Sequence, residues 1–274
     1  PYWDWVDPFD RLPDLFNEAT FYNSRTLHVE SNPFFNGAID FASTVTDRDP
    51  SAMLFNNHEF YDKTLFVLEQ TDFCDFEIQL EVLHNRIHTM LGGREVFSMA
   101  SLDYAAYDPV FFLHHSNIDR LWAIWQELQR YRKLPYDEVN CALPLLNEPM
   151  RPFSNSTANH DRLTFTNQQN QHSESDAWSG VITSANRIRK NMKDLVKEEM
   201  ICLAEALKVM YQDGRYEEIA AFHGLPAQCP DESGDHVFTC CLHGMSVFPH
   251  WHRLYLALLE NELLARGSCI AIPY

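Results

Sequence analysis

Apolar positions recur at helical spacing in four stretches of this 274-residue chain, and polar, loop-like segments separate them. Between Asp75 and Leu91, Phe76, Ile78, Leu80, Val82, Leu83, Ile87 and Leu91 follow a helical period, and Gly92-Gly93 supplies a stop. A second helix is predicted from Asp108-Pro109, a side-chain cap followed by Pro at the first helical position. It runs through Trp122, Ile124 and Leu128 to about Arg132, ahead of Pro135. The third pattern starts near Ser184 and continues through Ile188, Met192, Leu195, Met200, Leu203, Leu207 and Met210. The fourth starts near Pro249 and carries Leu256–Leu264 to Gly267. Shorter helices are expected over Phe60–Gln70, over Tyr216–Phe222 (broken at Gly224-Leu-Pro226) and around Leu12–Phe16. The rest of 1–50, and 94–107, read as ordered loops; 150–185, rich in Ser, Asn, Gln, Thr and His, reads as a linker or surface excursion. The pattern is that of a mainly α protein.

Histidines sit on these predicted helices. His84 and His88 are i and i+4 on the first, so both imidazoles share one face. His114 and His115 lie near the start of the second and point about 100° apart, so only one can join them. In the last part of the chain are His223, His243, His250 and His252. With a helix starting near Pro249, His243 falls on the preceding loop, where it can fold back towards His252; His250 faces elsewhere. A lone pair at this spacing is more often an ordinary surface or core pair than a ligand pair. Asn85 stands where the zinc-protease pattern has Glu. Repetition separates these residues from chance, since there are two sets of three: His84, His88 and His115, then His223, His243 and His252. No role is assigned to His28, His58, His160, His172 or His236.

Composition narrows the class. The net charge of −18 argues against nucleic acid and anionic membranes as partners and suits a protein kept soluble at high concentration. No apolar run is long enough to cross a membrane. The chain opens on Pro1-Tyr2-Trp3-Asp4-Trp5, which reads as the middle of a fold and not as a signal peptide. The seven cysteines are not in CxxC pairs, so a structural zinc site is not expected, and their odd number leaves a thiol outside intrachain disulfides. Asn155-Ser-Thr is a glycosylation sequon that, with the cysteines, points to secretion.

These motifs carry a family resemblance. His84-Asn-Arg-Ile-His88 with Phe111-Phe-Leu-His114-His115-Ser-Asn-Ile-Asp119-Arg120 resembles the second-copper half of type 3 copper proteins. Ala220-Ala-Phe-His223-Gly-Leu-Pro226 and Cys241-Leu-His243…Pro249-His250-Trp-His252-Arg253-Leu-Tyr255 resemble the first-copper half. Tyrosinases and catechol oxidases share the bare histidine pattern. The stretches Gln70–Glu77 and Ala220–Pro226 are similar to molluscan haemocyanin functional units in particular. The resemblance covers nearly everything outside 155–185.

The resemblance implies a mainly α fold, with a four-helix-bundle core around a dinuclear copper site and the family's β-sandwich domain absent. The domain reading is 1–154 as the second-copper half, 155–185 as a linker or junction, and 186–274 as the first-copper half. His84, His88 and His115 would bind one copper ion; His223, His243 and His252 would bind the other. Cys241 matches the thioether crosslink to His243, and Cys74–Cys141 and Cys229–Cys240 match family disulfides. Cys202 and Cys269 are left over, as buried thiols or as a pair. Phe111, one turn before His115, would pack against the site, an arrangement core packing explains equally well; Asp119 would fix an imidazole or pair with a basic side chain. No residue is assigned a catalytic role.

The residue types suit the chemistry. Imidazole favours copper, and six neutral ligands add no negative charge that would over-stabilise Cu(II). Three ligands per ion leave room for dioxygen to bridge as peroxide, each Cu(I) giving one electron and regaining it on release. Zinc is the rival metal for a three-histidine site, but two matching sites with a Cys-x-His favour copper. The implied function is reversible dioxygen binding and transport, as part of a large secreted haemocyanin of the haemolymph, with other functional units as partners. The alternative is tyrosinase- or catechol oxidase-like phenol oxidation at the same centre.

The order of the halves is reversed relative to the family, where the first-copper half comes first. Two arrangements follow. In a window across a tandem array, the triads belong to different copper pairs. In a permuted single unit, they converge within one chain.

Overall fold

The computed structural model describes residues 2–6, 12–49, 57–134, 150–153, 189–230 and 236–270. Its helices are α1 (Asp14–Asn17), α2 (Asn57–Glu69), α3 (Phe73–Gly92), α4 (Val110–Arg132), α5 (Lys197–Gln212), α6 (Arg215–His223) and α7 (Phe248–Ala265). The protein is mainly helical. Strands among the described residues form three two-stranded antiparallel ribbons: β1 (Thr20–Asn23) with β2 (His28–Ser31), β3 (Ala38–Ile39) with β4 (Thr44–Val45), and β5 (Cys229–Pro230) with β6 (His236–Phe238). The two ribbons within 1–50 lie where loops are expected. Strands this short are too brief to show a period of two in the sequence.

The helix boundaries follow local chemistry. α3 starts where the Asp72 side chain accepts a hydrogen bond from the Asp75 amide (3.0 Å), and it stops at Gly93, whose φ of +54° suits glycine. α4 starts behind Asp108, whose Oδ1 accepts from the Val110 amide at 2.9 Å. Arg48 holds the same carboxylate through Nε (2.8 Å) and Nη2 (2.6 Å) and donates to the Phe16 and Phe34 carbonyls, so the start of α4 is pinned from the N-terminal region. The third pattern begins later than its spacing predicts. Residues 184–188 lie outside the described set, Asn191 and Leu195 are not helical, and α5 begins at Lys197, where Glu199 reaches back to accept from the Val196 amide (3.1 Å). α7 has Pro249 in its first turn, as expected.

The two halves of the chain share one apolar core. α4 packs along α7, α3 also meets α7, and α5 lies against α6 and α7. Trp5, Phe76, Phe111, Trp125, Phe248, Trp251, Tyr255 and Leu256 are all fully buried. Each such side chain contributes about 1.5–3 kcal/mol of burial free energy. Polar ties cross between the halves. Tyr107 donates to the Leu225 carbonyl (2.7 Å), the Leu225 amide to the Asp103 carbonyl (3.0 Å), and the Met192 amide to the Tyr2 carbonyl (2.8 Å). Asp119 on α4 accepts from Arg253 of α7 (Nε, 2.5 Å) and from Arg189 (Nη1, 3.0 Å), all three side chains being nearly inaccessible. Asp119 thus pairs with basic side chains, one of its two expected roles.

The cysteines divide as follows. Cys229–Cys240 is a disulfide, matching the resemblance, and Cys202 is bonded to Cys269, so these two are a pair and not buried thiols. Cys241 is free. Cys141 and the sequon at Asn155 lie outside the described residues, and with them the expected Cys74–Cys141 bridge.

Candidate metal centre

Six histidine rings from the two halves meet in one buried cluster. His84 and His88 project from α3 and His115 from the first turns of α4. The Nε2 atoms of His84 and His115 are 3.1 Å apart, and those of His88 and His115 are 3.4 Å apart. Two imidazole nitrogens bound to one ion at about 2.0–2.1 Å, with an angle near tetrahedral or trigonal, stand roughly 3.3–3.5 Å apart. The three nitrogens therefore already surround an ion-sized point.

Hydrogen bonds at the far nitrogens set the tautomers. His88 Nδ1 donates to the Met99 carbonyl (2.7 Å) and His84 Nδ1 to Asn85 Oδ1 (3.0 Å), which leaves the Nε2 lone pairs facing inward. His252 follows the same rule: Nδ1 donates to the Phe248 carbonyl at 2.9 Å, and its buried Nε2 has no hydrogen-bond partner.

The other three histidines arrive differently. His223 is the last residue of α6. Gly224 follows it, and a Cβ there would fall 2.1 Å from the Asp103 carbonyl oxygen, so only glycine lets the chain leave the helix this close to the neighbouring loop. His243 lies on the loop before α7 and is partly accessible. His252 lies one turn inside α7. Ring centroids are 5.1 Å apart for His223–His243, 4.9 Å for His243–His252 and 5.7 Å for His223–His252. Cys241 Sγ and one ligating nitrogen each of His223 and His243 lie within 4.8 Å of one another.

The two sets are in contact. His115 and His252 stack at 4.4 Å with their planes 9° apart, and His84 and His243 are 5.8 Å apart. Within this chain, then, the reversed order of the halves still brings both triads to one place. Phe111 sits between them, 4.1 Å from His115 and 4.8 Å from His223. Phe248 closes the cluster from α7, 4.5 Å from His252 and 4.8 Å from His84.

Burial holds the imidazoles neutral. His84, His115, His223 and His252 titrate well below the usual histidine range, first because burial penalises the cation and then because the rings repel one another's charge. Burial likewise lowers His88 and His243 to about 4. Neutral rings with bare lone pairs are what a metal ion requires of its ligands. Burial raises the Cys241 thiol to about 11, so it is present as the thiol.

His114 lies in the same cluster, offering an atom within 4.8 Å of those of His84, His88 and His115, but its hydrogen bonding differs from theirs. Its Nδ1 accepts a hydrogen bond from Trp5 Nε1 at 3.2 Å, which puts the ring proton on Nε2. The neutral ring then has no lone pair left for an ion, although it stacks 5.1 Å from His84. His250 packs against Trp122 (4.7 Å) and Phe73 (5.7 Å), away from the cluster. His28 is exposed on β2. The sequence reading missed Phe248, the Trp5–His114 contact and the carboxyl pair Glu77–Glu81. That pair sits on the stripe of α3 that carries His84 and His88, and its buried charge on a ligand-bearing face was a readable signal.

The fold and the cluster define a mainly helical protein built around a buried six-histidine centre. The chain belongs to the family of the common central domain of tyrosinase, whose model matches residues 1–128 and 213–274. That family implies a dinuclear copper centre, and the neutral, convergent histidine nitrogens fit one. The chain is 41% identical to Hemocyanin G-type, units Oda to Odg, of Enteroctopus dofleini over an alignment taking in all of this chain and 14% of that protein. It is 56% identical to Hemocyanin, beta-C chain unit D, of Helix pomatia over 60% of this chain and 40% of that one. Among solved structures it resembles deoxygenated hemocyanin from Rapana thomasiana, with a TM-score of 0.52 and 45% identity over 56% of this chain and 40% of that chain. This chain thus spans well under half the length of the relatives it matches. No helix among the described residues is long and apolar enough to cross a membrane.

Proposed function

We propose that the chain binds dioxygen reversibly at a pair of copper ions and serves as an oxygen-carrying unit of a large, secreted, haemolymph haemocyanin. His84, His88 and His115 hold one ion, and His223, His243 and His252 hold the other. In this reading 1–154 and 186–274 are the two halves of one α core, each supplying a triad, and 155–185 joins them. The observation that carries the proposal is the set of inward Nε2 atoms of His84, His88 and His115, 3.1 and 3.4 Å apart in a buried cluster, with the far nitrogens of His84 and His88 held by oxygen acceptors. When bound, the copper pair supplies the electrons that dioxygen takes up on binding and returns on release. The chain's part is to hold neutral imidazoles in place and, through Phe111, Phe248 and Trp251, to keep water and its protons from the bound gas.

Cys241 supports a further part of this reading, a thioether to His243. Its thiol is within 4.8 Å of a His243 nitrogen. Formation would join Sγ to a ring carbon of His243; the thiol hydrogen and a ring hydrogen would leave as two protons and two electrons, with dioxygen as the oxidant that takes up the electrons. The intact mass is expected to fall by two hydrogens on copper loading in air, and that of Cys241→Ser to stay unchanged; an unchanged mass in the unaltered chain would remove the crosslink.

The copper-loaded protein, cycled between oxygen and argon, should gain and lose an optical band in step with gas uptake. Copper binding without a reversible band would sink the carrier reading. One observation favours a second activity, oxidation of phenols. His243 is partly accessible and the nearby Met245 is 45% exposed, so among the described residues this side of the centre is partly open. Catechol turnover above that of free copper supports the second activity, and turnover equal to free copper removes it.

A further inference from the structure

The two triads are carried by different parts of the chain, and the loop with His243 has little helical structure to fix it. One buried side chain from the opposite half reaches it. Glu81 on α3, 8% exposed, accepts a hydrogen bond from the Gly244 amide at 2.7 Å. Gly244 directly follows His243 and has a φ of +66°, the loop turning sharply at the residue that Glu81 grips. Glu77, one turn earlier on α3 and 4% exposed, backs the carboxylate. Burial and the Glu81 charge push the Glu77 carboxyl up to about 8, so it stands as the acid and donates to Glu81. Glu77, Glu81, His84 and His88 follow one another at i, i+4, i+7 and i+11 along the buried inner side of α3. The helix that presents one triad therefore also holds the loop that presents a member of the other.

We propose that Glu81 is a positioning residue: its carboxylate, backed by Glu77, fixes the His243–Gly244 loop against α3 and so sets the spacing of the second metal position from the first. A buried carboxylate costs desolvation wherever it stands. An acceptor used only for helix packing would not need to meet the one amide beside a candidate ligand. The ion pair of Asp119 with Arg253 fixes α4 to α7, and with them His115 to His252. The Glu81–Gly244 bond fixes α3 to the His243 loop.

The proposal rests on the dicopper reading, and its test separates the two. Copper per chain is measured after dialysis, and unpaired Cu(II) spins are counted by electron paramagnetic resonance, for the full chain and for Glu81→Ala and Glu81→Gln. The full chain is expected to keep two ions that are magnetically coupled and silent. Glu81→Ala should bind the second ion at least about tenfold more weakly, a loss of roughly 1.4 kcal/mol, so that it retains one ion and shows one spin. Glu81→Gln, whose amide oxygen still accepts from Gly244, should keep both ions. Two coupled ions in Glu81→Ala would overturn the proposal, as would the same loss in Glu81→Gln. Fewer than two ions in the unaltered chain would overturn the dicopper reading instead. Amide exchange in the unaltered protein then judges Glu81 alone, and also decides the matter if Glu81→Ala fails to fold. The Gly244 amide should exchange more than about tenfold slower than in an open loop, and free exchange would overturn the proposal.

Discussion

The two triads differ in how the chain builds them. His84, His88 and His115 come from two long helices, are buried, and have ring centroids 4.3–5.6 Å apart with Nε2 pairs at 3.1 and 3.4 Å. His223, His243 and His252 come from a helix end, a loop and the second turn of a helix, and their ring centroids are 4.9–5.7 Å apart. Helical periodicity delivers the first triad almost for free. The second needs separate fastenings: Gly224 against Asp103, Glu81 on Gly244, and the Cys229–Cys240 bridge beside Cys241. A rigid half and a tethered half meeting at one point suggest where perturbations will be felt.

The comparison is sharpest at the ligands. His115→Ala and His243→Ala are both expected to abolish oxygen uptake, read from the optical band, while their metal-free stabilities part company. His115 is enclosed by Phe111 and His252, so its truncation leaves a cavity costing about 2 kcal/mol or more in denaturant unfolding. His243 is partly accessible, and its loss should change stability by no more than about 0.5 kcal/mol. Equal stability losses would erase the distinction between the halves.

Next in size is the lock between α4 and α7. Asp119→Ala removes the buried carboxylate that Arg253 and Arg189 share and should cost about 3–5 kcal/mol in urea unfolding. A loss below about 1 kcal/mol would mean that water already reaches the pair.

Acid acts on the rigid half with a sign that can be worked out. His88 has its folded pKa lowered from 6.5 to about 4 by burial. Above pH 6.5 it is neutral in both states and costs nothing. As pH falls from 6.5 towards 4, the unfolded chain takes up the proton and the folded chain does not, so stability drops. The metal-free protein should lose on the order of 3 kcal/mol over that window from this one residue. Copper shifts the loss to lower pH, because the ion competes with the proton for Nε2. Thermal unfolding with and without copper across that range measures both effects.

The smallest expected effect concerns Asn85, whose Oδ1 fixes the His84 tautomer from the exposed side of α3. Water can replace it, so Asn85→Ala should weaken copper binding by less than about tenfold, at the low end for partners that orient ligands.

Much of this arrangement is legible in the sequence, for physical reasons. His84 and His88 at i, i+4 before Gly92-Gly93, and His115 behind Asp108-Pro109, follow from helical geometry and capping. The angle between adjacent helical residues set His114 aside, yet its ring lies in the same cluster, 5.1 Å from His84; what distinguishes it is its bond to Trp5, a contact across 109 positions. His243 on a loop was readable from Pro249. The start of α5 was not, because the apolar spacing from Ser184 onwards ignores the cap at Val196 and Glu199. Nor could spacing alone decide whether the two triads meet. That depends on Tyr107, Leu225, Asp119 and Arg253 tying the halves together, and such long-range ties leave no local pattern. Cys202 and Cys269 were open for the same reason: residues 67 apart are brought within bonding distance only by the packing of α5 against the end of α7.

The central claim is that both triads of a single chain form one dinuclear copper centre. The most direct test is to load the full chain with copper, confirm by sedimentation that it is monomeric, and measure copper and oxygen uptake together. The account predicts two coppers per monomer and one dioxygen bound reversibly for each pair. One copper per monomer, or oxygen uptake that appears only when chains associate, would contradict it.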